Sequence, residues 1–133
     1  MKTYVNPYVL KLIEEALTDE AHDYSFYTVL AQKCPRYAPL LEQIAADELK
    51  HRKMLLELYA DLAGKKAEED NGTEVDTSGS CEELIAGQIP SELDGAAMYR
   101  TMYFAMPNVS AKNIVFEIMT DEMMHATLLS AMM

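Results

Sequence analysis

The chain has 133 residues, of which 50% are hydrophobic, enough for one domain spanning residues 1–133 with a sizeable core and too little for a second. Eleven basic against 22 acidic residues give a formal charge of −11, which opposes binding to nucleic acid or to an anionic membrane and favours the local concentration of cations. Charged residues interrupt the apolar stretches before they could span a bilayer, and Met1 to Asn6 lacks the basic-then-apolar build of a signal peptide, so a cytoplasmic protein is expected.

A first helix is predicted from Asn6 or Pro7 to about Gln32, opened by a capping residue followed by proline and closed by Cys34-Pro35. Its inward stripe reads Val9, Ile13, Ala16, Glu20, Tyr24, Tyr27 and Ala31, in which Glu20 is the charged exception. A second helix from about Ala38 to Leu62 carries Leu41, Ile44, Glu48, His51, Leu55, Leu58 and Leu62 on one face, with Gly64 as its stop. Lys65 to Ser80 is polar and longer than the usual connection of ~2–8 residues between bundle helices. It could run along the bundle, so that the second half enters parallel to helix two.

A third helix is expected from Cys81 or Glu82 to Met106, with Gly87, Pro90 and Gly95 weakening its first part. Pro90 should kink or split it, leaving Ser91 as a new cap. Its stripe is irregular, with Ile85, Ala86 or Ile89, Glu92 or Asp94, Met98, Thr101 or Met102, and Ala105 as inward positions. Pro107-Asn108 separates it from a fourth helix starting near Ser110, whose inward line is Val115, Ile118, Glu122, His125, Leu129 and Met132. Helix four contributes about two turns beyond His125, so a second subunit could cover that end as a homodimer. The methionines at 119, 123, 124, 132 and 133 would suit an adaptable association surface.

Two apolar stripes are broken by the same pair of residues, Glu48/His51 in IAADELKH and Glu122/His125 in IMTDEMMH. The differences 122 − 48 and 125 − 51 are both 74, and the same offset pairs Ile44 with Ile118, Asp47 with Asp121 and Leu55 with Leu129. Two related halves, about 16–59 and 90–133, are expected. Carried upstream, the offset takes Glu20 to Asp94, so each half has one further carboxylate before its Glu-x-x-His. Glu92 competes with Asp94, which is one methylene shorter than a glutamate.

Residues three apart share a helical face, so each Glu-x-x-His unit can direct two ligands to one central point. Glu20, Glu48, His51, Asp94, Glu122 and His125 then form a six-ligand set, in which Glu48 and Glu122 could bridge two cations while each histidine supplies one. Carboxylate oxygen and imidazole nitrogen suit iron first and manganese second. Asp47 and Asp121 lie four residues before a histidine on the same face, where each could accept a hydrogen bond from the histidine of the other motif helix. Tyr24, Tyr27, Tyr99 and Tyr103 fall within two turns of the first- and third-helix ligands, whereas His22 faces away from Glu20. Cys34 and Cys81 form no Cys-x-x-Cys unit and cannot supply a tetrathiolate site.

On the strength of DELKH and DEMMH, the sequence resembles the ferritin-like superfamily, in particular rubrerythrin-type diiron domains, over almost its whole length. The resemblance implies an all-α four-helix bundle with a long crossover between helices two and three, and two iron ions held by the six residues named above. Asp94 stands where that pattern has glutamate, and the paired Cys-x-x-Cys units through which classical rubrerythrin receives electrons are absent. The resulting expectation is a non-haem diiron oxidoreductase acting on peroxide, dioxygen or ferrous iron, with an external electron donor. The alternative is a non-catalytic metal-binding, iron-handling or structural bundle.

Overall fold

A computed structural model describes residues 5–68 and 74–133, and these form four long helices: α1 (Pro7–Lys33), α2 (Ala38–Ala63), α3 (Cys81–Ala105) and α4 (Val109–Ala131). The expectation about the leading segment falls partly outside the described residues, at positions 1–4, as does the connection at 69–73.

The helix ends follow from local chemistry. Asn6 accepts a hydrogen bond from the Tyr8 backbone N–H at 2.9 Å, with Pro7 at the first helical position. Cys34, ahead of Pro35, leaves the helical conformation, and a short 3-10 turn at Pro35–Tyr37 leads into α2. Gly64 ends α2 in the left-handed conformation at φ 72°, its N–H returning to the Ala60 carbonyl. Ser80 and Asn108 cap α3 and α4 by accepting from the Glu83 and Ala111 backbone N–H groups.

Pro90 does not split α3, which is continuous from Cys81 to Ala105, and Ser91 is an interior residue rather than a cap. Proline removes one hydrogen bond from the ladder, to the carbonyl of Ala86, while Ile85, Glu92, Ala96, Tyr99 and Met102 bury one line along the whole helix. The gain from that burial outweighs the missing bond.

Helix α1 packs chiefly on α2 and α3 chiefly on α4, and the two hairpins meet through α1 against α3 and α2 against α4. The start of α3 lies beside the end of α1. Cys34 and Cys81 are joined by a disulfide, and Lys33 Nζ donates to the Thr77 carbonyl at 2.7 Å. Helix α3 therefore runs parallel to α2 and starts at the end of the bundle opposite to the one where α2 stops, as a ferritin-like fold requires. No helix among the described residues is long and apolar enough to cross a membrane.

The core is divided in two. One apolar cluster, including Ile13, Leu55, Leu58, Met102, Val115 and Ile118, fills one end of the bundle. A second, including Leu30, Leu41, Ile44, Ile85 and Leu129, fills the other. Between them, on all four helices, lies a polar layer of Glu20, Glu48, His51, Glu92, Glu122 and His125, each no more than 3% exposed. Among the methionines near the carboxyl end, Met132 is buried while Met123, Met124 and Met133 are exposed.

Candidate metal centre

Each ligand position is a place where a regular stripe carries a charged residue inward. Glu48 and His51 lie three apart on α2, and Glu122 and His125 lie three apart on α4, so each helix presents a carboxylate and an imidazole from one face. Helices α1 and α3 add one carboxylate each. The donor atoms fall into two groups, Glu20, Glu48, His51 and Glu122 in one and Glu48, Glu92, Glu122 and His125 in the other, with donors in each group within 4.8 Å of one another. Glu48 and Glu122 belong to both.

Five of the six residues singled out by sequence are thus brought together, and Asp94 is not. Asp94 is exposed on α3, and Glu92, two residues earlier and 2% exposed, stands in the buried layer. The offset between the glutamates of α1 and α3 is 92 − 20 = 72, not 74. The difference arises in the segments that follow. Helix α4 has 13 residues before Glu122 (109–121) where α2 has 10 before Glu48 (38–47), and a connection shorter by one residue offsets part of this. An offset valid for α2 and α4 therefore overshoots by two on α3, nearly 200° around a helix at ~3.6 residues per turn.

The centre has an approximate two-fold arrangement. Tyr99 on α3 donates to Glu20 at 2.5 Å, and Tyr27 on α1 donates to Glu92 at 2.6 Å. Each tyrosine lies seven residues after the glutamate of its own helix and holds the glutamate of the other. His51 Nε2 lies 2.7 Å from Asp121 Oδ2, and His125 Nε2 lies 2.8 Å from Asp47 Oδ2. Lys50 Nζ, 3.1 Å from the same Asp121 oxygen, adds positive charge to one of these pairs. Tyr24 is exposed and Tyr103 half-buried, and neither hydrogen-bonds to a glutamate of the layer. His22 is partly exposed and paired with Asp23 at 3.4 Å.

With both Nε2 atoms engaged by aspartates, both Nδ1 atoms point into the layer. His51 Nδ1 is 3.3 Å from Glu122 and 3.5 Å from Glu20, and His125 Nδ1 is 2.9 Å from Glu48. Proximity does not satisfy them. Both Nδ1 atoms, both Glu48 oxygens, Glu20 Oε2 and Glu92 Oε2 are buried without a partner of hydrogen-bonding geometry. Unsatisfied buried polar groups are rare, and buried carboxylates cost several kcal/mol apiece (about 3 or more) unless compensated. Six orphaned donor atoms converging on one layer fit a pair of metal ions.

The electrostatics without metal show the same need for positive charge. Burial raises the Glu20 carboxyl, but contacts with Glu48 and His51 outweigh it and hold the group below the usual carboxylate range. Glu48 is pushed well above that range, by burial first and by Glu20 second, so it keeps its proton. Glu92 rises to about 7 through burial and the proximity of Glu122, against the lowering effect of His125. Burial lowers both imidazoles, yet carboxylate contacts outweigh it, raising His51 to about 10 and His125 further still. Protons occupy the role that metal cations would otherwise fill.

A four-helix bundle with buried carboxylates on all four helices and a Glu-x-x-His unit on two of them defines a dimetal-carboxylate protein. The rubrerythrin family profile matches residues 11–133, and the chain belongs to that family as a ferritin-like domain with a carboxylate/histidine diiron-binding motif. No curated protein shows significant similarity to the chain.

Proposed function

We propose that this protein is a non-haem diiron oxidoreductase that reduces peroxide or oxidises ferrous iron. The observation that carries this reading is the sharing of Glu48 and Glu122 between the two ligand groups, which would place two metal ions side by side under common carboxylates. Ferrous ions held by these residues would supply electrons for cleaving an O–O bond. The residues of the chain define the rest. Glu20 and Glu92 would be terminal ligands, each held by a tyrosine hydroxyl, and His51 and His125 would ligate through Nδ1 while Asp121 and Asp47 fix their tautomers. Burial and the adjoining carboxylates keep Tyr27 and Tyr99 protonated, so both stay hydrogen-bond donors.

Reduction of peroxide to two waters consumes two electrons and two protons. We assign those electrons to a donor outside the four-helix bundle. A second reading, an iron-handling protein of low turnover, is favoured by the net charge of −11. Elemental analysis of protein purified without an affinity tag should find about two iron or manganese ions per chain. Mixing anaerobic ferrous protein with peroxide or dioxygen should then oxidise the centre within a catalytic cycle. Metal retention without repeated oxidation would move the assignment to iron handling, and failure to restore metal would refute both.

A further inference from the structure

Between α1 and α3 a cavity of about 290 Å³ opens beside the metal layer. Its rim carries Asp19 and Asp94, both exposed, with the half-buried Asp23 below them. Glu20 and Glu122, both buried in the metal layer, line it as well. Among the described residues no lysine or arginine lines it. A funnel of carboxylates leading to a low-dielectric interior raises the local concentration of cations and repels anions. The carboxylates are not merely a surface cluster, because the lining includes Glu20, a side chain of the metal layer that is 2% exposed and whose Oε2 has no hydrogen-bond partner.

Gly95 lines this cavity in the middle of α3, where glycine costs about 1 kcal/mol relative to alanine. Close packing does not require it. A Cβ at this position would meet Glu122 Oε2 at 3.8 Å, an ordinary contact. A longer side chain would extend across Glu122 and fill the route.

Resting on the dimetal reading above, we infer that the α1–α3 cavity is a cation vestibule. It passes hydrated divalent metal ions to the centre, Asp19 and Asp94 capture them at the rim, and Gly95 keeps the path open. Asp94 thereby has a role two residues from the ligand it resembles in sequence. Ferrous iron supplied through this route is a substrate as well as the source of the resident pair.

The test is the rate of Co(II) uptake by metal-free protein, followed by stopped-flow absorption, with final stoichiometry measured in parallel. The double substitution Asp19→Asn with Asp94→Asn, on the exposed rim, should slow uptake about tenfold at low salt and remove most of its ionic-strength dependence, without lowering final stoichiometry. Gly95→Leu should slow uptake at every ionic strength, while Gly95→Ala should leave the rate near that of the parent. Unchanged rates in both the double variant and Gly95→Leu, with two ions still bound, would overturn the vestibule and leave the centre standing. Failure of the parent protein to bind Co(II) at all would instead remove the dimetal reading and the vestibule with it.

Discussion

Reducing the Cys34–Cys81 disulfide should destabilise the metal-free protein without altering its capacity for metal. The bond joins residues 47 apart and ties the end of α1 to the start of α3, the junction between the two hairpins. For a loop of that size, loss of the cross-link returns chain entropy to the unfolded state worth about 4 kcal/mol at 25 °C, an upper limit in the entropic account. With an unfolding entropy of about 2.1 cal/mol/K per residue, 4 kcal/mol in a chain of this length corresponds to about 14 °C in melting temperature. The assay is thermal unfolding by circular dichroism of chelator-treated protein before and after a phosphine reductant, with thiol titration to establish that reduction is complete. Cys81→Ser is the better genetic equivalent, since Cys81 is partly exposed, whereas serine at Cys34, 2% exposed in the apolar cluster, would add the cost of a buried hydroxyl. A shift of less than about 4 °C after complete reduction would refute the reasoning, because it would mean that the cross-link does not restrict the unfolded chain. Metal stoichiometry should be the same in both redox states, since the bond lies in the apolar layer beyond the ligands.

Glu48→Ala or Glu122→Ala should lower bound metal far more than Asp47→Ala, because each glutamate belongs to both ligand groups; equal metal content after identical reconstitution would contradict the proposed bridging role. Glu92→Gln should reduce metal stoichiometry while Asp94→Asn leaves it intact, as elemental analysis of the two purified variants would show. The metal-free protein should lose stability from pH 6.5 to about 10. Burial lowers His51, but Glu122 and Glu20 raise it from 6.5 to about 10, so its contribution is complete below 6.5 and lost as pH climbs through the folded value. Asp23 adds in the same direction, since burial and then Glu92, Glu20 and Glu122 raise it to about 8 and its ionisation becomes a cost as pH rises. Metal affinity should rise with pH over the same range, because imidazole ligates only when neutral; a flat melting profile for the metal-free protein would refute the charge assignment.

Helices α2 and α4 were legible in the sequence because their stripes are regular and broken only by residues with a metal-site spacing. Every inward position expected on α4 is buried, from Val115 to Met132, and on α2 only Leu62 is less than fully buried. The four-residue spacing made hydrogen bonds from His51 to Asp121 and from His125 to Asp47 possible, and the packing of α2 against α4 forms both. Helix α3 was harder because it is apolar on several faces. Leu93 and Phe104 are 52% and 73% exposed, so hydrophobicity alone does not mark its inward side. A better guide was the tyrosine seven residues after the glutamate, as Tyr27 follows Glu20 and Tyr99 follows Glu92. The disulfide was invisible to spacing, since it depends on the crossover carrying residue 81 back to residue 34.

Neither hairpin can complete the centre alone. The group around His51 draws Glu20, Glu48 and His51 from α1 and α2 but needs Glu122 from α4, and the group around His125 draws Glu92, Glu122 and His125 from α3 and α4 but needs Glu48 from α2. The tyrosines cross in the same sense, each clasping the glutamate of the opposite hairpin. Among the described residues the backbones of the two hairpins approach each other through α1 with α3 and α2 with α4, and the polar layer interrupts the apolar packing along both seams. An interruption of this kind weakens the seam when the layer holds only protons and strengthens it when shared carboxylates hold two cations. The disulfide secures one end of the α1–α3 seam, and the vestibule opens along the same seam nearer the middle. A cavity can thus be kept between these two helices without letting them part.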